Sequence, residues 1–100
     1  MPKKQVPIIE CAGLGQIDAV EKLIKQGADV NEVNQDGDTA ILIAAMRNDL
    51  PMTKILIAAG SKVQTKDQLG YSPLFWAQTN KNETMVELIN ANMDHKATRK

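Results

Sequence analysis

The chain is 100 residues long, with 43% hydrophobic and 24% charged residues and a formal net charge of zero. This length predicts one domain with little interior, which argues against a buried catalytic cavity. The balance of charge argues against a nucleic-acid partner, because nucleic-acid binders usually carry a basic excess, and no apolar run reaches the ~18 residues of a membrane span.

The first predicted unit covers residues 5–33. Apolar residues at intervals of three and four predict a helix in its second half, namely Ile17, Val20, Leu23 and Ile24. Cys11, the single cysteine of the chain, is expected to pack as a small hydrophobe. One cysteine forms no internal disulfide, and the sequence starts without the apolar core of a signal peptide, so we expect a soluble, cytoplasmic protein.

The second predicted unit, residues 34–66, begins with a tight turn in which Gly37 supplies the positive φ. A short apolar helix over about 39–47 follows, with Thr39 as its N-cap. A second helix is predicted from apolar residues at helical spacing, namely Leu50, Met52, Ile55 and Leu56. We expect Gly60 to end that helix in the left-handed conformation, as Gly27 ends the second helix of the first unit.

The third predicted unit, residues 67–94, has the same order, with a helix over 72–80 capped by Ser72. The third unit carries Gln78, Lys81 and Asn90 at the positions where the middle unit carries Ala45, Asn48 and Ile57. A polar outer face is what the last unit of a stack requires, so the sequence predicts a complete array capped at both ends. Residues 95–100 are predicted to be a disordered tail.

A period of 33 residues joins the three units. Gly27 precedes Gly60 by one period, and the small series Cys11, Ala44 and Ala77 runs through all three units. A fixed period in this range indicates stacked supersecondary units, which present a surface rather than enclose one site. The periodicity therefore favours a binding function.

The repeated segments resemble a known family. Residues 37–45 read GDTAILIAA, residues 70–77 read GYSPLFWA, and residues 27–31 read GADVN. They are similar to the G-x-T-P-L-H-x-A-A and G-A-D-V-N patterns of the ankyrin repeat family, although Ile9, Leu42 and Phe75 stand in place of its histidine. The resemblance implies an all-α solenoid forming a single domain over residues 1–100, with three stacked helix-turn-helix units and short β-turn or hairpin fingers.

The resemblance also implies that the turn tips and first helices line a concave face. We predict that partner-binding residues lie there, namely Gln35, Asp36, Asp38, Ile43, Met46, Arg47, Gln68, Leu69, Tyr71, Trp76, Thr79 and Asn80. Several have a structural alternative. Trp76 and Met46 are also suited to the interior, Tyr71 to a neighbouring turn, and aspartates in general to turn formation.

The sequence offers no arrangement typical of catalysis or metal binding. His95 is the single histidine and is remote in sequence from Cys11, so no metal pair or nucleophilic triad is indicated. We predict no enzyme activity, no cofactor and no metal. The favoured function is protein–protein interaction with an unidentified partner, as a stand-alone inhibitor, immunity or adaptor protein. The alternative is a self-associating structural protein, and the expected state is a monomer or weak homo-oligomer.

Overall fold

The computed structural model describes residues 6–93, and over this range the chain forms six α-helices and no strand. In chain order they are α1 Pro7–Gly13, α2 Ile17–Lys25, α3 Ala40–Met46, α4 Leu50–Ala58, α5 Pro73–Thr79 and α6 Glu83–Ala91. The all-α prediction and the paired helices of each period are confirmed. The predicted tail at 95–100 lies outside the described residues.

The helices form two layers. The first layer contains α1, α3 and α5, with α3 packed between the other two, and the second layer contains α2, α4 and α6 in the same order. Each helix also packs on its partner within the unit, and contact is more extensive within the first layer than within the second. Small residues explain the close approach in the first layer, since Ala44 and Ala77 are fully buried there.

Side chains cap four of the six described helices. Thr39 Oγ1 accepts a hydrogen bond from Leu42 N at 3.4 Å, and Ser72 Oγ accepts one from Phe75 N at 3.2 Å, as predicted. Asp49 caps α4 and Asn82 caps α6 in the same way. These caps satisfy backbone N–H groups that the first turn leaves unpaired, so each short helix has a defined start.

Two glycines end the second helices of the first two units. Gly27 has φ of 93° and Gly60 has φ of 98°, values that favour glycine over every other residue. The main chain reverses there, and Ala28 N and Ser61 N bond back to the carbonyls of Leu23 and Leu56. The prediction of left-handed helix ends is therefore confirmed.

An asparagine side chain joins successive units. Asn31 donates from Nδ2 to Gly60 O at 3.2 Å and accepts from Lys62 N through Oδ1 at 2.7 Å. Between the second and third units, Asn82 Nδ2 donates to Asn48 Oδ1 at 2.8 Å. These bonds link residues about one period apart, so they fix the spacing and orientation of the units.

Burial is greatest in the middle unit, which has neighbours on both sides. Leu42 and Leu56 are both 0% exposed. The last unit is less well covered, because Phe75 occupies the position of Leu42 and is 36% exposed. The polar residues predicted for the outer face, Gln78, Lys81 and Asn90, are all exposed, but Phe75 is exposed as well, so the last unit is only partly polar there.

Candidate functional site

Two turn tips project from the stack and have the same architecture. In the first, Asn34 N donates to Asp38 O at 3.0 Å, and Asn34 Oδ1 accepts from the backbone of Asp36 at 2.9 Å and of Asp38 at 3.0 Å. In the second, Asp67 N donates to Tyr71 O at 2.9 Å. Both tips are held by their own hydrogen bonds, so their side chains are presented on an ordered backbone.

Asp67 has a second role. Its Oδ1 accepts from the backbone N–H groups of Leu69 and Tyr71, each at 2.9 Å, while its Oδ2 accepts from Trp76 Nε1 at 3.2 Å. One carboxylate thus ties the second tip to helix α5. The first tip has no such tie, because Asn34 and Ile43 occupy the corresponding positions one period earlier.

Three aromatic side chains cluster beside the second tip. The rings of Tyr71 and Phe75 stack at a centroid distance of 3.9 Å and an interplanar angle of 8°. Trp76 meets both edge-on, at 5.8 Å from Tyr71 and 5.2 Å from Phe75. Tyr71 therefore packs on the helix of its own unit, while 37% of its surface stays exposed.

A cleft of about 270 Å³ lies between the two tips. Its walls combine acidic, polar and apolar side chains, namely Asp36, Asp38, Met46, Asp67, Gln68 and Leu69. Leu69 is 75% exposed, whereas Met46 is half-buried. The fold therefore brings five of the predicted residues together and adds Asp67, which the sequence analysis missed.

The cleft is acidic. Burial raises the pKa of Asp38 above its usual value, and the negative charges of Asp36 and Asp67 raise it further. Within residues 6–93, no three His, Cys, Asp or Glu side chains are grouped so as to hold a metal ion. The cleft is instead suited to a cationic group from outside the chain, since close carboxylates create a negative potential.

Comparison with known proteins decides the family. The model of the family described as ankyrin repeats (3 copies) matches residues 8–99. The chain belongs to the ankyrin repeat family. The stacked helix pairs are therefore an ankyrin-repeat solenoid, and the two tips are the turns that connect successive ankyrin repeats.

Curated relatives are much larger proteins. The chain is 29% identical to Inversin from Gallus gallus over 85% of its own length, and 33% identical to RelA-associated inhibitor from Mus musculus over 72%. It is 35% identical to the potassium channel GORK from Arabidopsis thaliana over 75%. The matched regions span 8% of Inversin and 9% of each of the other two.

No helix among residues 6–93 combines the length and apolarity needed to cross a membrane.

Other predicted residues of the ankyrin array lie outside the cleft. Asn80 Nδ2 donates to Ala45 O at 3.0 Å, so this amide joins two repeats. The Arg47 guanidinium lies over the preceding repeat, where a Cβ added to Gly15 would meet Nη2 at 3.0 Å. Ile43 is half-buried against the core.

Trp76, the remaining helix residue with a structural alternative, is half-buried against the core and also bonded to the second tip. Gln35 and Thr79 are exposed and do not line the cleft. The ankyrin surface thus contains one compact group around the cleft and several residues spread along the first helices. A role in partner binding stays a prediction for each of them.

Proposed function

We propose that this ankyrin-repeat chain recognises a partner protein through the surface formed by its two turn tips and the cleft between them. The observation that carries the proposal is the placement of Leu69 and Tyr71. Both are exposed, yet Asp67 fixes the backbone N–H group of each at 2.9 Å. A surface that is already ordered loses little conformational freedom on binding, which favours affinity.

The charges and apolar walls of the cleft indicate which side chains of a partner fit it. Carboxylates of Asp36, Asp38 and Asp67 surround an opening that Met46 and Leu69 complete with apolar surface. A basic side chain with an aliphatic stem complements both features, since its charge meets the carboxylates and its stem meets the apolar walls. We therefore infer a partner that presents a lysine or arginine next to an apolar residue.

Binding at this surface acts on the partner sterically and makes or breaks no covalent bond. Ankyrin repeats are generally protein-interaction modules and are typically non-enzymatic. We infer that the chain is not an enzyme and acts as an inhibitor, immunity or adaptor protein in the cytoplasm, by covering or tethering its partner. One relative is named as an inhibitor, which fits this class of role although only 9% of that protein is matched.

Cross-linking in the native host tests the proposal. A photoreactive group at Gln68, in the wall of the cleft, is expected to trap one protein at stoichiometric yield, and mass spectrometry identifies it. The purified partner should then bind the wild-type chain and Lys54→Ala, an exposed control on α4, equally well. Leu69→Ala should bind at least tenfold more weakly, as a hot-spot residue would.

Self-association is a second candidate. Large apolar side chains are exposed at the two ends of the described stack as well as at the second tip, with Leu14 68% and Phe75 36% exposed. Leu14 is distinct from the turn tips and the cleft, whereas Phe75 stacks on Tyr71 of the second tip. Leu14 is therefore the position whose mutation separates self-association from partner binding.

A further inference from the structure

The last repeat exposes a position that the inner repeats bury. Phe75 follows Ile9 and Leu42 at intervals of one period; Ile9 is 5% exposed and Leu42 is 0% exposed, but Phe75 is 36% exposed. The same holds for Gln78, which is exposed where Ala45 is fully buried. The inner positions are covered because the first helix of the next repeat packs on them: α3 packs on α1, and α5 packs on α3.

The first repeat exposes the opposite side of the same interface. Leu14 corresponds by period to Arg47 and Asn80, which both reach back to the preceding repeat. Leu14 is 68% exposed, but Arg47 and Asn80 are exposed as well. The uncovered face of the first repeat is shown instead by Pro7, which is exposed where Ala40 and Pro73 are buried. Cys11 follows the same rule, since it is half-buried where Ala44 is fully buried.

We propose that the two ends bind each other, so that a second copy of the chain docks head-to-tail and continues the stack. In this arrangement α1 of one copy lies on α5 of the other, as α3 lies on α1 and α5 on α3 within one chain. Leu14 of one copy then lies over the last repeat of its neighbour, as Asn80 lies over the middle repeat within one chain. This contact is a continuation of the repeat–repeat interface inside the chain.

The polar residues at the ends are compatible with this contact. Inside the chain, Asn82 Nδ2 donates to Asn48 Oδ1 across the repeat boundary. One period later Lys81 replaces Asn48, and two periods earlier Gln16 replaces Asn82. The ammonium group of Lys81 can donate to the Gln16 side-chain carbonyl of a second copy. A hydrogen bond then still links the two repeats, but its donor lies on the preceding repeat and not on the following one.

The expected association is weak and open-ended. Exposed Gln78 and Glu10 make the end faces less apolar than the interior interface. A head-to-tail contact uses two different surfaces, so it does not close on itself and the assembly grows with concentration. The proposal goes beyond partner recognition, because none of the end positions lines the cleft between the tips.

Sedimentation velocity of the full chain up to about 1 mM, a range suited to weak contacts, tests the proposal. The wild-type mass should rise above 11.0 kDa as concentration increases. Phe75→Glu and Leu14→Glu should each stay monomeric, because the substitution places a charge in one of the two docking surfaces. A mixture of these two variants should form a complex of two chains, since one intact end remains on each.

Either of two results would overturn the proposal. One is a wild-type chain that stays at 11.0 kDa across the whole range. The other is a Leu14→Glu variant that associates like the wild type, which would show that two last repeats pair with each other. Circular dichroism must show that both variants fold. Glutamate at position 75 is suited to the third helical position after Ser72, and Phe75→Gln serves as the second variant at this end.

Discussion

The indole N–H of Trp76 donates to Oδ2 of Asp67 at 3.2 Å, across nine positions of the chain. Trp76 belongs to helix α5 and Asp67 begins the second turn tip, so the bond fastens the tip to the helix layer. The other oxygen of the same carboxylate holds the backbone of Leu69 and Tyr71. The two exposed side chains that we assign to partner binding thus depend on one carboxylate, to which the half-buried Trp76 is bonded.

Removal of this carboxylate should loosen the second tip. Asp67→Ala is expected to lower the free energy of unfolding by about 1–3 kcal/mol, because the half-buried indole N–H loses its partner. The wavelength of maximum fluorescence emission of Trp76, the single tryptophan, should shift as its surroundings change. Urea unfolding followed by fluorescence measures both effects.

Glu87→Gln, on the exposed face of α6, is the matched control and should leave stability and emission unchanged. An Asp67→Ala chain as stable as this control, with unaltered emission, would show that the Trp76–Asp67 bond does not hold the tip.

Truncation in the centre of the stack should be far more damaging. Leu56 is 0% exposed and belongs to the middle repeat, so Leu56→Ala leaves a cavity that neighbouring helices cannot easily fill. We expect a loss of about 2–5 kcal/mol in the free energy of unfolding. Lys54→Ala, at an exposed position on the same helix, should change it by less than about 0.5 kcal/mol. Chemical unfolding of both variants measures the difference, and similar stabilities would contradict the assigned core.

The pKa of Asp38 makes stability depend on pH. This pKa is raised in the folded chain, so protonation of Asp38 favours folding, and that contribution is lost as the pH rises through the raised value. Asp38→Asn is therefore expected to stabilise the chain slightly at pH 7, by less than about 1 kcal/mol for this partly exposed group. The advantage should shrink in acid and in high salt.

Urea midpoints of the wild type and Asp38→Asn across a pH series measure this effect. A variant less stable than the wild type at neutral pH would mean that the charged carboxylate has a favourable partner that outweighs its burial and its acidic neighbours.

The asparagine bridge between repeats gives a residue-specific prediction. Asn31 Oδ1 accepts from Lys62 N at 2.7 Å, so Asn31→Ala should accelerate hydrogen exchange at the Lys62 amide and cost about 1 kcal/mol of stability. Gln26→Ala, at an exposed position after α2, serves as the control. Unchanged exchange at Lys62 would show that the bridge contributes no protection.

The sequence alone predicted the parts of the fold that depend on local pattern. Periodic apolar residues gave the helix pairs, and Thr39 and Ser72 were identified as caps because capping involves residues only three positions apart. The stacking order also followed from the period. These features need no knowledge of which distant residues meet.

Contacts across repeats were not predictable in the same way. The Asn31 bridge to Lys62 and the Asn80 bond to Ala45 join residues 31 and 35 positions apart, and asparagine occurs commonly in loops for other reasons. Asp67 was missed because its link to Trp76 depends on the exact angle between tip and helix. An acidic residue at the start of a turn was the available signal, and it indicates a backbone bond and not an indole partner.

The measurement that tests the central claim most directly is the affinity of the cross-linked partner for the Leu69→Ala/Tyr71→Ala double variant, determined by calorimetry beside Lys54→Ala. We predict that the double variant, folded by circular dichroism, binds at least tenfold more weakly, a loss of about 1.4 kcal/mol or more, while the control binds like the wild type. Equal affinity of a folded double variant would contradict recognition through the turn tips.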